Sequence, residues 1–212
     1  MSRSVTDLRQ VLDAILSMGR GGEIAVVGVC GLAGAGKTTL CKSIVAALPG
    51  YAFHLDCDRF SALSLTEREE RIALARASGN CAHVNAEENP QNWYDWSGIG
   101  AAIDSLRRTR SFEWDRAWNR ETGLLDARYS LFLPASGSAV VLCDCIFLLH
   151  EPVRAWLDGV IMVQASDEAV ALRRRRRARN ETAERAARER QARFERPYFE
   201  RLYACADLIV SL

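Results

Sequence analysis

The sequence predicts an α/β fold in which a parallel sheet of five strands carries helices on both faces. Five short apolar segments are typical of strands that are buried on both sides. They alternate with stretches in which apolar residues recur at helical spacing, and this alternation indicates parallel strands joined by crossover helices. A length of 212 residues and a hydrophobic share of 49% fit a single domain, residues 1–212.

The overall charge gives no bias toward nucleic acid or an anionic membrane, because the formal net charge is only +1. No apolar run approaches the roughly 20 residues that a membrane helix needs. The N-terminal segment does not resemble a signal peptide, since Val5, Leu8, Leu12 and Ile15 share one helical face that charged residues interrupt. The seven cysteines include no C-x-x-C pair, so we expect buried thiols in a reducing cytoplasm rather than disulfides or a zinc site.

The first predicted strand, Ile24–Cys30, leads into a glycine-rich loop that matches G-x-x-x-x-G-K-[ST]. In this pattern the glycines let backbone N–H groups approach a polyphosphate, the lysine reaches the β- and γ-phosphates, and the hydroxyl of Thr38 can ligate Mg²⁺. The helix that follows, which Pro49-Gly50 ends, adds the positive end of its dipole. This is the P-loop NTPase fold, and the residues predicted to bind ATP are Gly31, Leu32, Ala33, Gly34, Ala35, Gly36, Lys37, Thr38 and Thr39.

Two further predicted strands end in carboxylates. Residues 51–55 end at Asp56 and Asp58, and residues 139–143 end at Asp144. The carboxyl ends of the strands line the ligand crevice of an open α/β sheet, and a P-loop needs carboxylates near its Mg²⁺. We therefore predict Thr38, Asp58 and Asp144 as metal ligands, with Asp144 in the Walker B position.

The segment that follows the second strand, about residues 61–135, is predicted to be an insertion that binds the substrate. Thr66–Glu69 fits a capping box for a helix through Ala77, and Ser97 can cap the next helix. Residues 112–129 show no regular period but interleave aromatic and polar side chains. They fit either a binding surface or a small satellite core.

The last two predicted strands, residues 160–163 and 206–212, flank a concentration of arginine. The run Arg173–Arg177 is followed by Arg179. A solvated helix face explains the mixed charges of the segment that follows, but six arginines in seven residues exceed what one exposed face can use. Guanidinium groups match phosphate oxygens, so we predict an Arg-rich lid over about residues 167–185.

Taken in order, these motifs resemble the P-loop small-molecule kinases of the uridine kinase and phosphoribulokinase type, over nearly the whole chain. Beyond the P-loop, the matching segments are His54–Phe60 for D-[SD]-F-Y, Asn89–Asp95 for P-x-x-[FW]-D, Val140–Phe147 for V-V-[LV]-x-E-G-[IV], Arg175–Asn180 for R-R-x-x-R-D and Ala206–Val210 for A-D-[IL]-[IV]-[IV]. Asp144-Cys145 stands where the family carries Glu-Gly. Residues 114–120 lack the histidine with which nucleoside kinases contact the base.

The resemblance implies transfer of the γ-phosphate of ATP, with Mg²⁺, to a hydroxyl of a small metabolite, and a nucleoside 5′-OH is the expected acceptor. The residues expected to act on the reacting groups are Lys37, Asp58 as the base with Asp56 as its substitute, Arg175 and Arg179. The residues expected to contact the substrate are Asp95 and Arg120.

Other interpretations stay open at this stage. The acceptor could instead be a sugar, a vitamin or an antibiotic, or the protein could be an ATP-binding switch without turnover. The arginines also allow a polynucleotide 5′-kinase, although a nearly neutral chain makes nucleic acid the weaker candidate. A homo-oligomer is compatible with the sequence. A Ras-like GTPase is excluded, because lysine occurs only at Lys37 and Lys42 and the N-K-x-D motif is therefore missing.

Overall fold

The computed structural model describes residues 3–5, 7–18 and 24–212, and these residues form an α/β fold. In chain order the strands and helices are β1 (Arg3–Val5), α1 (Leu8–Met18), β2 (Ile24–Cys30), α2 (Lys37–Ala47), β3 (Ala52–Asp56), α3 (Leu65–Ala77), α4 (Cys81–Glu88), α5 (Trp96–Thr109), β4 (Ser111–Ala117), β5 (Ala127–Phe132), β6 (Ala139–Asp144), β7 (Gly159–Gln164), α6 (Asp167–Arg177), α7 (Glu181–Arg190), α8 (Arg196–Leu202) and β8 (Leu208–Ser211).

Six strands form one parallel sheet in the order β1-β8-β7-β2-β6-β3. The predicted fold class is confirmed: the five predicted strands are present, and the short β1 extends the sheet beside β8. β2 lies between β6 and β7, so the loop after β2 opens at the carboxyl edge of the sheet. The register pairs Asp144 with Val29 on one side and with Asp56 on the other. Both acidic strand ends therefore lie next to the start of the glycine-rich loop.

Helices cover both faces of this sheet, because the side chains of β2 alternate between two hydrophobic cores. Val26 and Cys30 pack in a core that includes residues of α5 and α8, whereas Val27 and Val29 pack in a core with residues of α1 and α2. Every residue of β2 is buried. Burial on both faces explains why this strand has a continuous apolar sequence rather than an alternating one.

Two of the predicted helix starts were wrong by a few residues. The capping box of α3 is formed by Ser64 and Glu67 rather than by Thr66 and its partner, and α5 is capped by Asp95 rather than by Ser97. Each segment contains two overlapping cap patterns, and the side chain that comes earlier in the chain binds the free N–H groups. The sequence pattern alone could not show which of the two caps forms.

The stretch without a period, residues 112–129, contains most of an antiparallel hairpin made of β4 and β5. A register shift between Trp114 and Ala117 breaks the alternation of its side chains, which explains why the sequence shows no period of two. Phe60 stacks on Phe112 and on Trp114 with ring centroids 5.7 and 5.8 Å apart. Phe60 and Phe112 belong to the same core as Val26 and Cys30, and Trp114 packs against it, so this part of the segment extends a main core rather than forming a satellite core.

Two capped helices carry the arginine-rich segment, because Ser166 caps α6 and Asn180 caps α7. A π-helical turn at Gln191–Glu195 then separates α7 from α8. Pro197 follows this turn, and its missing N–H removes one helical hydrogen bond there. Within the described ranges, no helix combines the length and the apolar character that crossing a bilayer requires.

Candidate active site

The loop after β2 has the backbone that a phosphate cradle needs. Gly31 and Gly36 have φ values of +142° and +112°, which side chains other than glycine rarely adopt. A Cβ atom on Gly31 would lie 2.3 Å from the carbonyl oxygen of Val163 in the neighbouring strand. Only glycine therefore allows the loop to turn this close to the sheet, and α2 starts at its far end with Lys37.

Lys37 is buried, and its ammonium group is held by the loop itself. Nζ donates hydrogen bonds to the carbonyl oxygens of Gly31, at 3.0 Å, and of Leu32, at 3.2 Å. These contacts keep a positive charge inside the curve of the loop, where backbone N–H groups and the N-terminus of α2 also attract anions. The described residues thus fit a polyphosphate.

The carboxylate at the end of β6 forms the second part of the site. Oδ2 of Asp144 accepts a hydrogen bond of 2.6 Å from the Thr38 hydroxyl and lies 3.2 Å from Nε2 of His54. Burial alone would raise the pKa of Asp144, which is 5% exposed, but the His54 contact, the Lys37 charge and the Thr38 hydrogen bond outweigh it. The pKa is lowered, so the group is a carboxylate at neutral pH. A hydroxyl beside a carboxylate is the oxygen pair that Mg²⁺ prefers.

Cys41 completes a cluster with these groups, since its sulfur and the ligand atoms of His54 and Asp144 all lie within 4.8 Å of one another. Burial first, and the Asp144 charge second, raise the pKa of the Cys41 thiol. Metal binding to cysteine requires the thiolate. The cluster therefore favours oxygen coordination through Asp144 over a soft metal held by sulfur.

Asp58 faces the cleft next to the P-loop and has charged neighbours. Arg120 donates a hydrogen bond of 2.6 Å to its Oδ2, and the Tyr94 hydroxyl lies 3.4 Å from its Oδ1. Half of the side-chain surface is exposed to the cleft. Desolvation by the surrounding walls raises the pKa of Asp58, the charge of Asp56 raises it further, and Arg120 and Lys37 oppose this. The cleft is open to water, which weakens this desolvation relative to a closed interior.

Asp56 lies deeper and is occupied by structural contacts. Its carboxylate accepts a hydrogen bond from the Asp58 backbone N–H at 3.2 Å and pairs with Arg59 at 3.4 Å. Its backbone N–H donates to the Tyr129 hydroxyl at 3.0 Å. Of the two acids proposed as the base, Asp58 has the more exposed carboxylate.

The arginine run divides by helix face. Nη1 of Arg173 donates to the P-loop carbonyls of Gly34 and Ala35 at 3.1 and 2.8 Å, and Arg177 and Arg179 line the cleft. Arg175 is exposed and is not among the residues that line the cleft. The structure therefore brings Arg179 to the predicted site, but not Arg175.

The two predicted substrate contacts have different surroundings. Arg120 lines the cleft and pairs with Asp58. Asp95 caps α5, and its carboxylate accepts hydrogen bonds from the Gly98 N–H at 2.9 Å and from the Ser97 hydroxyl at 2.6 Å. These bonds occupy Asp95, and its part in substrate binding stays a prediction without structural support.

Several cleft residues escaped the sequence reasoning. The cleft has a volume of about 580 Å³ and is also lined by Arg68, Trp93, Trp118, Arg190 and Glu195. Glu195 accepts a hydrogen bond of 2.8 Å from the Ala33 N–H of the P-loop. These side chains come from separate elements, and no motif in the sequence joins them.

Comparison with known proteins places this geometry among P-loop kinases. None of the curated sequences compared with the chain is similar enough to count as a match. Among solved structures, a candidate uridine kinase from Bacillus stearothermophilus is 17% identical over 96% of both chains, with a TM-score of 0.68. A candidate fructose transport system kinase from Silicibacter sp. TM1040 is 19% identical over 97% of this chain and 99% of its own, with a TM-score of 0.65.

A third structure, the D-glycerate 3-kinase from Cryptococcus neoformans, is 13% identical over 96% of this chain and 95% of its own, with a TM-score of 0.58. At these identities the structural likeness establishes the fold only. The sequence pattern of the Phosphoribulokinase / Uridine kinase family, however, matches residues 26–201, which is most of the chain. The protein therefore belongs to the phosphoribulokinase/uridine kinase family of small-molecule kinases.

Proposed function

We propose that the protein transfers the γ-phosphate of ATP to a hydroxyl group of a small metabolite. The observation that carries the proposal is the juxtaposition of a P-loop holding Lys37, a Thr38–Asp144 pair at 2.6 Å and a half-exposed Asp58 on the wall of the adjoining cleft. Phosphoryl transfer requires positioning and charge neutralisation more than covalent participation of the protein. The three parts supply a polyphosphate site, a metal site and a base.

Lys37 and the loop N–H groups would hold the β- and γ-phosphates. Thr38 and Asp144 would hold Mg²⁺, which when bound offsets charge on the phosphate oxygens. His54 contacts the same Asp144 oxygen as Thr38 and would fix the orientation of that carboxylate.

Asp58 would accept the proton of the acceptor hydroxyl. As that oxygen forms its bond to the γ-phosphorus, the bond to the β-phosphate oxygen breaks, ADP leaves, and the proton stays on the Asp58 carboxylate until it passes to water. A raised pKa makes Asp58 a stronger base than an ordinary aspartate. Arg120 would keep the carboxylate oriented, and Arg177 with Arg179 would bind phosphate oxygens from the lid.

The finer expectations stay predictions. A nucleoside 5′-OH is the acceptor implied by the sequence resemblance, while cytoplasmic location and the oligomeric state have no support in the geometry. An ATP-binding switch would have the same P-loop but would form no phosphorylated product.

The test is a screen for ADP formation over nucleosides, sugars, sugar acids, sugar phosphates, vitamins and a single-stranded oligonucleotide, with each product identified by mass spectrometry. We expect ADP to appear only with an acceptor and in equal amount to a phosphorylated product. Lys37→Ala serves as the control for contaminating kinases. ATP binding without a phosphorylated product would refute the proposal in favour of a switch, and phosphorylation of the oligonucleotide alone would favour a polynucleotide kinase.

A further inference from the structure

Arg68 is a buried guanidinium on the wall of the cleft. It extends from α3, is only 8% exposed, and lies between two tryptophans at 4.4 Å from the Trp93 ring centroid and 4.7 Å from that of Trp118. Its Nη2 donates a hydrogen bond of 2.8 Å to the Ser61 hydroxyl. Its Nε and the Trp118 Nε1 are both buried donors without a hydrogen-bond partner in the described part of the chain.

This cation lacks a counter-charge. No carboxylate among residues 3–5, 7–18 and 24–212 forms an ion pair with Arg68. Burial accordingly lowers the pKa of Arg68 to about 10. The ring faces attract the cation but supply less than an anion would, and buried charges in proteins are normally paired. A buried guanidinium without a carboxylate, aimed into a cleft, is therefore a site for an anion from outside the chain.

A second arginine shares the same wall. Arg190 of α7 lies 5.5 Å from the Trp93 centroid, and burial is the main cause that lowers its pKa. Two like charges close to one ring repel each other, and an anion between them would remove this cost. The whole cleft shows the same excess: its lining includes Arg68, Arg120, Arg174, Arg177, Arg179 and Arg190, but only Asp58 and Glu195 as acids.

Part of this charge is already neutralised. Arg120 pairs with Asp58, and Arg174 pairs with Glu184 at 2.9 Å. Arg177 and Arg179 belong to the lid that follows the P-loop-bound Arg173. Arg68 and Arg190 form no ion pair within the described residues, and both lie against the tryptophan wall, which Trp93 and Trp118 form. Arg190 is the less isolated of the two, because the carboxylates of Glu195 and Glu88 oppose the burial that lowers its pKa.

The tryptophan wall is connected to the proposed base. The backbone N–H of Trp118 donates to the carbonyl oxygen of Arg59 at 2.8 Å, next to Asp58. Tyr94 contacts Asp58 and forms an isolated β-bridge with Ser61, whose hydroxyl accepts the hydrogen bond from Arg68. A small molecule that presents a hydroxyl to Asp58 therefore has this wall as a neighbouring surface.

We propose, building on the kinase function above, that the acceptor carries a carboxylate or phosphate group in addition to its hydroxyl, and that Arg68 and Arg190 bind this anionic group. Guanidinium groups bind both oxyanions in a planar, two-pronged geometry. The inference narrows the acceptor to hydroxylated small anions and disfavours neutral nucleosides and sugars.

Matched acceptors test the charge directly on the wild-type enzyme. Each set contains a neutral sugar, the corresponding sugar acid and the corresponding sugar monophosphate, so that the hydroxyls stay the same while the anion changes. We expect kcat/KM for the preferred anion to exceed that for the neutral member at least tenfold, and the acid and phosphate arms show which oxyanion it is. Equal or better kcat/KM for neutral acceptors, including uridine, would overturn this inference while leaving the kinase function intact. Failure of every acceptor would refute both.

Substitutions test the two arginines. Arg68→Gln and Arg190→Gln should each raise KM for the anionic acceptor roughly 10- to 100-fold, the loss expected for a charged hydrogen bond, and leave KM for ATP within a factor of two. Arg71→Gln is the matched control, because Arg71 is an exposed arginine on the same helix and does not line the cleft.

A purely structural role gives a different result. In that case Arg68→Gln would lower the melting temperature without raising KM for the acceptor, and this outcome would overturn the proposal. If Arg68→Gln does not fold, Arg190→Gln and the matched acceptors decide. A rise in KM for ATP alone would also overturn it, since the arginines would then bind the nucleotide.

Discussion

Asp58→Asn is the substitution that most directly tests the mechanism. The amide keeps the shape of the side chain and can still bond to Arg120 and Tyr94, which contact the carboxylate at 2.6 and 3.4 Å. What it loses is the ability to accept a proton at neutral pH. General base catalysis contributes about 10²- to 10⁴-fold, so kcat should fall by that factor, which corresponds to roughly 3–5 kcal/mol of transition-state stabilisation. KM for ATP should change less than threefold, because the P-loop contacts are untouched.

Asp56→Asn is the matched control. Its oxygen can still accept the hydrogen bond from the Asp58 backbone N–H, so the local turn is preserved. The variant loses ion pairs with Arg59 and Arg120 at 3.4 and 3.9 Å, both at partly exposed positions. Such pairs contribute about 0–1 kcal/mol each, so the two together limit the expected loss in kcat to roughly 30-fold. A coupled ADP-release assay at saturating substrates separates a loss of about 30-fold or less from one of about a thousandfold.

The pH dependence gives an independent check on the same residue. The working form of Asp58 is the carboxylate, so activity should be lost as the pH falls through its pKa. Desolvation and then Asp56 raise this pKa above the ordinary value of 3.8, which moves the acidic limb of the kcat profile upward. Asp56→Asn removes a raising charge and should move the limb to lower pH. The assignment of the base would be refuted if Asp56→Asn lowered kcat strongly while Asp58→Asn kept a kcat close to that of the wild type. It would also be refuted if Asp58→Asn left the acidic limb of the kcat profile unchanged.

Three further perturbations test other parts of the site. Lys37→Ala should lower kcat/KM at least about 10³-fold with an unchanged circular dichroism spectrum, because it removes a charge on the transferred group; a loss within tenfold would contradict the P-loop assignment. His54→Gln should raise the Mg²⁺ concentration that gives half the maximal rate about tenfold, because Asp144 loses the contact that orients it. The same substitution at the exposed His83 should leave this concentration unchanged. Equal Mg²⁺ profiles for the two variants would argue against a positioning role for His54. Hydrogen exchange across residues 170–185 should slow when a non-hydrolysable ATP analogue and the acceptor are added together, and slowing with an oligonucleotide alone would argue against a lid.

The fold and the P-loop end of the candidate site could be predicted because their determinants are contiguous. The P-loop, the strand before it and the helix after it follow one another between residues 24 and 47, and each leaves its own pattern. Asp144 was identifiable because a buried strand ends there. The parallel register then brings it beside Val29 and Asp56 without further information.

The predicted lid shows how a motif match and helical geometry select different arginines from the same run. Arg173 contacts the P-loop, and a residue four positions later lies on the same helix face. That residue is Arg177, which lines the cleft, whereas Arg175 is rotated by about 200° from Arg173 and does not line it. The resemblance to the family motif selected Arg175, but helical geometry anchored at Arg173 selects Arg177.

The tryptophan wall and its two arginines could not be predicted from the sequence, because these side chains come together only after folding. Arg68 comes from α3, Trp118 follows β4, and Arg190 ends α7, so more than 120 residues separate the first from the last. On a helix, Arg68 has the sequence signature of an ordinary solvated side chain. Only its position between two indoles distinguishes it from Arg71, which is exposed on the same helix.

The placement of the arginines also separates a small anion from a polynucleotide as the ligand. A net charge of +1 for the whole chain conceals a cleft whose lining has six arginines and two acids. A nucleic-acid surface needs a continuous exposed stripe that follows many phosphates. Here Arg68 is buried between indole rings, and the cleft holds about 580 Å³, within the range of small-molecule sites. Positive charge that is buried in a space of this size favours one or two oxyanions of a small ligand over a duplex or an extended strand.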